Sequence, residues 1–95
     1  MTLKKAYRSK ARIYIDILRI IKQESGKSGP TRILYGANLS HNRLTRYLTE
    51  LMELGLITEI KDNDKTLYAL TDKGKIFFSE FSRIERFAEA FGITI

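Results

Sequence analysis

The chain has no cysteine, no tryptophan and no valine, and it contains one proline, one histidine and one glutamine. Without cysteine there is no disulfide scaffold, no thiolate metal ligand and no cysteine nucleophile. A single histidine, His41, excludes a two-His metal motif. No apolar run approaches the roughly 18 residues of a membrane span, because Asp16 and Arg19 interrupt the best candidate, residues 13–21. Residues 1–5 lead into a charged segment and not into the apolar stretch of a signal peptide. These absences predict a soluble, cytoplasmic protein. The scarcity of thermolabile residues in a Lys-, Arg- and Glu-rich chain leans towards a thermophilic origin.

What remains is 95 residues, enough for one small domain with one modest core and little room for an internal catalytic cleft. Leu, Ile and Phe make up 28 of them, far above the composition of a disordered chain. The net charge of +6 hides an asymmetry. Residues 1–49 hold 11 basic and 2 acidic side chains, whereas residues 50–95 hold 6 basic and 9 acidic ones. A basic half supplies the phosphate neutralisation on which sequence-independent nucleic-acid affinity rests. The bland alternative is a solubilising surface.

Helical spacing of Ile13, Ile17, Ile20 and Ile21, widened by Tyr14 and Leu18, predicts a first helix from about Tyr7 to Glu24. Residues 25–30, Ser-Gly-Lys-Ser-Gly-Pro, break it. Pro30 then suits the first turn of a short helix to Gly36. After residues 37–40, Ser40 is placed to cap a third helix over 41–54, with Leu39 stapled on Leu44. Leu44, Leu48 and Leu51 form its buried face, with Tyr47, Met52 and Leu54 at the edges, and Gly55 ends it. A short helix, a tight turn and a longer helix make a helix-turn-helix. Residues 56–61 and 66–70 read as two strands around the turn Asp62-Asn63-Asp64-Lys65, a wing. Thr71 caps a last helix over 72–91, closed by Gly92. The predicted fold is therefore mainly α with a small β-hairpin (α+β), a winged helix-turn-helix carrying a long C-terminal helix.

With its leucines buried, the third helix exposes His41, Asn42, Arg43, Thr45 and Arg46 in its first half and Thr49, Glu50 and Glu53 in its second. In helix-turn-helix docking the N-terminal residues of this helix meet base edges in the major groove, where Arg pairs with guanine and Asn with adenine. The helix dipole adds positive potential at the same end. The competing reading is a solvated face, with Arg46 paired to Glu50 four residues on.

In the last helix Phe77, Phe81, Ile84, Ala88 and Phe91 follow a heptad spacing, and Phe87 widens the stripe. Its distal part projects beyond a head of about 70 residues and leaves aromatics without a partner. That predicts a homodimer interface through Phe77, Phe81, Ile84, Phe87, Ala88 and Phe91, with Ile76 and Phe78 turned to the domain's own core. Residues 1–70 are read as the head, with a basic segment at 1–6, and 71–95 as the dimerisation helix.

Catalysis finds no support. Asp62 and Asp64 are turn formers and not a metal pair. Residues 26–29 lack the strand and Lys-Ser/Thr pattern of a phosphate-binding loop. No enzyme activity, metal, cofactor, membrane or small-molecule substrate is expected.

The run Thr31-Arg32-Ile33-Leu34-Tyr35-Gly36-Ala37-Asn38-Leu39-Ser40, with Leu44, Tyr47-Leu48, Leu51-Met52 and Leu56-Ile57 after it, resembles the archaeal winged-helix chromatin proteins of the "10a" group, within a wider ArnR-like class. The resemblance covers about residues 10–78. It implies double-stranded DNA binding as a homodimer joined by an antiparallel coiled coil of the last helices, in a nucleoid-associated or regulatory role. Arg32, Tyr35 and Ser40 match the family's run near its DNA face. The wing departs from a simple basic pattern, since Lys61 and Lys65 flank two aspartates, and the last helix is short for the group.

Together these readings predict a dimeric winged-helix protein on double-stranded DNA, a transcriptional regulator or an architectural factor. Phosphates are anchored by Lys4, Lys5, Arg8, Lys10, Arg12, Lys27 and Arg32, residues 41–46 enter the major groove, and Lys61 and Lys65 serve the wing. The alternative is a protein-interaction module that turns the basic face to an acidic partner.

Overall fold

The structure, a computed structural model, describes residues 8–95. Four helices and three strands follow in the order α1 (Lys10–Gln23), β1 (Lys27–Ser28), α2 (Pro30–Gly36), α3 (His41–Glu53), β2 (Ile57–Asp62), β3 (Lys65–Leu70) and α4 (Asp72–Glu89). The winged helix-turn-helix architecture is as expected, and most boundaries lie within a residue or two of the sequence reading.

Local chemistry explains those boundaries. Ser9, Ser40 and Thr71 each accept a hydrogen bond from the backbone N–H three residues on, at 3.0, 3.3 and 2.9 Å, so each satisfies an orphan donor at a helix start. Gly55, at φ +79°, ends α3: its N–H donates to the Met52 carbonyl and that of Leu56 to Leu51, both at 3.0 Å. Asn38, at φ +56°, does the same after α2, where the Leu39 N–H donates to Leu34 at 3.1 Å. The two helices of the motif are thereby fixed by a one-residue left-handed turn.

The sheet is antiparallel in the order β1-β3-β2. The sequence reading did not include β1. Its two residues pair with Ala69 and Tyr68, turning the hairpin into a three-stranded sheet, and Ser28 is buried there. At the hairpin tip Asp62 pairs with Lys65, so the loop has two residues, Asn63 and Asp64, both at positive φ. That is the primed turn that matches strand twist, and glycine is preferred at its second position. Asp64→Gly should therefore stabilise the domain by about 0.5 kcal/mol. The urea midpoint checks this, and a lowered midpoint would contradict the turn assignment.

The core joins Ile13, Ile15, Ile17, Leu18 and Ile21 of α1 to Ile33, Leu44, Tyr47, Leu48, Leu51, Leu56, Ile57 and Leu70. α1 packs against α2, α4, β1 and β3, so apolar residues are buried on more than one of its faces. Ile15, which lies off the predicted stripe, is buried for that reason.

The remaining face of α1 carries an ion-pair chain. Arg8 pairs with Asp16 at 3.0 Å, Asp16 with Arg19 at 3.4 Å, and Arg19 with Glu85 of α4 at 3.7 Å. Glu85 also pairs with Arg12, and the Arg12 guanidinium stands 5.6 Å from the centre of the Phe81 ring. α4 is thus clamped to the head as far as Glu85.

This clamp corrects the predicted face of α4. Phe77 and Phe81 pack on the domain's own core together with Phe78, whereas Ile76 is exposed. Only the distal part of the heptad stripe stands free. Ile84, Phe87 and Phe91 are 58, 69 and 69 % exposed, Ala88 is half-buried, and the Phe87 and Phe91 rings meet edge-on at 5.2 Å. Among the described residues no helix is long and apolar enough to cross a membrane.

Candidate nucleic-acid interface

α3 is held from behind by Leu44, Tyr47, Leu48 and Leu51, all buried. Its other face presents His41, Asn42, Arg43, Thr45, Arg46 and Thr49 to solvent. Thr45 and Thr49 donate their hydroxyls to carbonyls four residues back, at 3.1 and 3.0 Å. The cations and the amide stand in the first half of the helix, where the backbone N–H groups and the dipole also point outward.

Tyr47 does more than fill the core. The Arg46 guanidinium donates to its hydroxyl at 3.2 Å and lies 4.9 Å from its ring centre, and Arg43 lies 5.8 Å from the same centre. Arg43 foremost, then Arg46, hold the Tyr47 phenol below its ordinary pKa. One buried ring therefore organises two exposed cations, which lowers the rotamer entropy lost on contact with an anion. Sequence reasoning put Tyr47 at the edge of the buried face and missed this role. An aromatic four residues after one arginine and one after another was the available signal.

Glu50 is drawn away from these arginines. Its carboxylate accepts from the Tyr14 hydroxyl at 2.7 Å and lies 3.6 Å from Lys10. Burial first, then the hydrogen bond to Glu50, pushes the Tyr14 phenol up to about 12, while Tyr14 and Lys10 hold the Glu50 carboxyl below its usual range. The Arg46–Glu50 pair of the competing reading is not formed. Among the described residues neither Arg43 nor Arg46 has a carboxylate oxygen within 4.0 Å.

Around α3 the other expected residues divide. Tyr35, 76 % exposed, shares a shallow cleft with Thr31 and His41, which joins α2 to the start of α3. Arg32 is exposed beside it and pairs with Glu24 at 2.9 Å. Ser40 acts as the cap of α3. A second cleft runs between α3 and the hairpin, lined by Thr45, Thr49, Glu59, Thr66 and Tyr68. On the wing Lys61 donates to Thr66 at 2.9 Å and lies 3.8 Å from Glu59, and Lys65 is exposed.

Three expected anchors stand elsewhere. Arg12 is engaged by Glu85 and by the Ile95 carbonyl. Arg8 donates to the Ala37 and Asn38 carbonyls at 2.7 and 3.0 Å, closing the turn between α2 and α3. Both serve as internal cross-links, their guanidiniums held by acidic and carbonyl partners within the fold and not free as the sequence reading expected. Lys27 sits opposite Ala69, at the end of the hairpin away from its tip. Lys10 pairs with Glu50 while remaining largely exposed. Lys4, Lys5 and the basic segment 1–6 lie outside the described residues.

The profile of the winged helix-turn-helix family matches residues 7–89, and the chain belongs to that family. Its sequence is 35 % identical over 72 residues to an uncharacterised protein of Methanocaldococcus jannaschii, across 76 % of this chain and 68 % of the relative. Its fold is similar to that of Sso10a-2, a DNA-binding protein from Sulfolobus solfataricus, with a TM-score of 0.76 at 30 % identity over 88 % of this chain and 85 % of the other. That likeness agrees with the resemblance to the 10a group carried by residues 31–40. F93 from STIV, a winged-helix DNA-binding protein, shares the fold at a TM-score of 0.70 and 19 % identity, over 82 % of this chain and 90 % of its own.

Proposed function

We propose that the protein binds double-stranded DNA as a homodimer and acts as a transcriptional regulator or an architectural factor at the nucleoid. One observation carries this reading: Arg43 and Arg46, held over Tyr47 and without carboxylate partners among the described residues, stand beside Asn42 and Thr45 on the outward N-terminal half of α3. That half enters the major groove. Arg32, Tyr35, Lys61 and Lys65 meet the backbone on either side. The mixed charge of the hairpin, with Glu59 and two aspartates near its lysines, makes the wing a weak contact. The DNA-binding names of Sso10a-2 and F93 support the same reading.

Ionic strength tests it. With about six phosphates neutralised, log K falls against log salt with a slope of about −5. Fluorescence anisotropy on a short duplex measures the slope, and a flat response would rule out groove binding by this face. Footprinting separates the two roles, since discrete protection marks a regulator and uniform coverage a packaging factor.

The dimer joins through Ile84, next to the clamp at Glu85, and through Phe87 and Phe91 beyond it. Contiguous exposed aromatics mark an interface. Phe87→Asp should convert the dimer to a monomer by sedimentation while leaving the helical content unchanged. A dimer that persists at micromolar concentration would place the seam elsewhere.

A further inference from the structure

A cavity of about 600 Å³ opens on the side of the domain remote from the hairpin tip, lined by Lys22, Ser25, Gly26, Leu70, Lys75, Phe78, Ser79, Ser82 and Arg86. Leu70 pairs with Ile57 at the far end of the hairpin from the Asp62–Lys65 pair, about 17 Å along the strand. The cavity is therefore separate from the groove-facing surface, and a ligand could occupy it whether or not the protein binds DNA.

Its lining has a definite chemistry. Lys75, Ser79, Ser82 and Arg86 are spaced 4, 3 and 4, so they share one face of α4. That face puts a cation at each end and two hydroxyls between them. Lys22, in the last turn of α1, supplies a third cation from the facing wall. No acidic residue lines the space, and among the described residues none of the three cations has a carboxylate within 4.0 Å. Elsewhere among the described residues Arg8, Lys10, Arg12, Arg19, Arg32 and Arg83 each have a carboxylate partner. The floor is apolar, made by Phe78 and by Leu70, which is 9 % exposed. Three unpaired cations around an aromatic floor, in a space within the usual range of ligand cavities, describe a site for a small ring that carries a negative group.

We infer that this cavity binds a small aromatic carboxylate, its ring against Phe78 and Leu70 and its carboxylate among Lys22, Lys75 and Arg86. A duplex backbone fits less well, because it is convex and makes no use of an apolar floor. Two walls of the site are α1 and α4, so an occupant bridges the head to the helix that carries the exposed Phe87.

The test is an amide-shift titration of the full chain with naphthalene-2-carboxylate. Shifts should concentrate at Gly26, Leu70, Lys75, Phe78, Ser79 and Ser82 and saturate below about 1 mM. The neutral naphthalene-2-carboxamide and inorganic phosphate should each bind at least about tenfold more weakly. Lys75→Gln with Arg86→Gln should weaken the carboxylate by at least about tenfold without changing the melting temperature or duplex affinity. Equal binding of the carboxamide would reduce the site to an apolar hollow, and equal binding of phosphate to an anion site with no role for the ring. Absence of saturation, shifts centred on α3, or loss of duplex affinity in the double variant would each overturn the assignment.

Discussion

Arg43→Glu together with Arg46→Glu should lower duplex affinity by at least about a hundredfold, while the chain keeps its fold and its oligomeric state. Each good bidentate arginine contact to a base contributes on the order of 1–3 kcal/mol of discrimination, and reversing the charge adds repulsion from neighbouring phosphates. The double variant also lowers the charge of this half by four units, which flattens the salt dependence. Stability should change little. Both arginines are exposed; each loses a cation–π contact to Tyr47, of about 0.5–1 kcal/mol at such a site, and Arg46 also loses its hydrogen bond to the Tyr47 hydroxyl. Anisotropy titrations give the affinity, and thermal melts with sedimentation give the controls. Duplex affinity within threefold of the unaltered chain would remove α3 from the interface, because no other cluster holds two unpaired guanidiniums on a helix start among the described residues.

Gly74→Ala carries the largest expected effect on stability. A Cβ at Gly74 would lie 2.0 Å from the Leu56 carbonyl oxygen and 3.0 Å from its carbon. Those are backbone atoms, so the contact is relieved only by lifting the start of α4. That start is tied down at the same point. The Thr71 hydroxyl caps the Gly74 N–H and donates to the Gly55 carbonyl at 2.6 Å, and the Thr71 N–H donates to Leu56 at 3.1 Å. Alanine gains about 1 kcal/mol in helix propensity, but overpacking costs about 1–3 kcal/mol and a disrupted cap about 1 more. The net expectation is a loss of about 1–3 kcal/mol, a fall of roughly 4–24 °C in melting temperature for a domain of this size. Gly36→Ala is the comparison. Its Cβ would meet the Ile20 side chain at 2.6 Å, and a side-chain tip moves aside more easily than a carbonyl. A Gly74→Ala chain that melts as high as the original would mean that α4 is not seated on Leu56.

The features most legible in the sequence are those set by neighbours along the chain. Pro30 and Gly36 bound α2 as expected, and Ser40 and Gly55 mark α3 to within a residue, because caps and left-handed stops are made within a turn. The outward set on α3 follows from helical periodicity in the same way. What was hidden depends on partners remote in sequence. Lys27 and Ser28 have no strand signature of their own, and only Ala69 and Tyr68 make them one. Arg12 looked like one more basic residue until Glu85, 73 positions away, claimed it. The division of the α4 stripe, with Phe77 and Phe81 packed on the core and Ile84, Phe87 and Phe91 exposed, follows from where α1 packs against it through Arg12 and Arg19. A heptad pattern alone cannot report that boundary.

The clamp on Glu85 gives the α4 arm a fixed angular phase. An extra residue placed after Glu85 would turn Phe87 and Phe91 by about 100° and advance them by about 1.5 Å. In a dimer joined through those rings, both heads would swing about the common axis and the two α3 helices would address different sides of a duplex. An insertion of seven residues would nearly restore the angle and set the heads farther apart. In such a dimer the spacing and facing of the two α3 helices would be set by the length of α4, and an insertion there would retune them without touching a single groove contact.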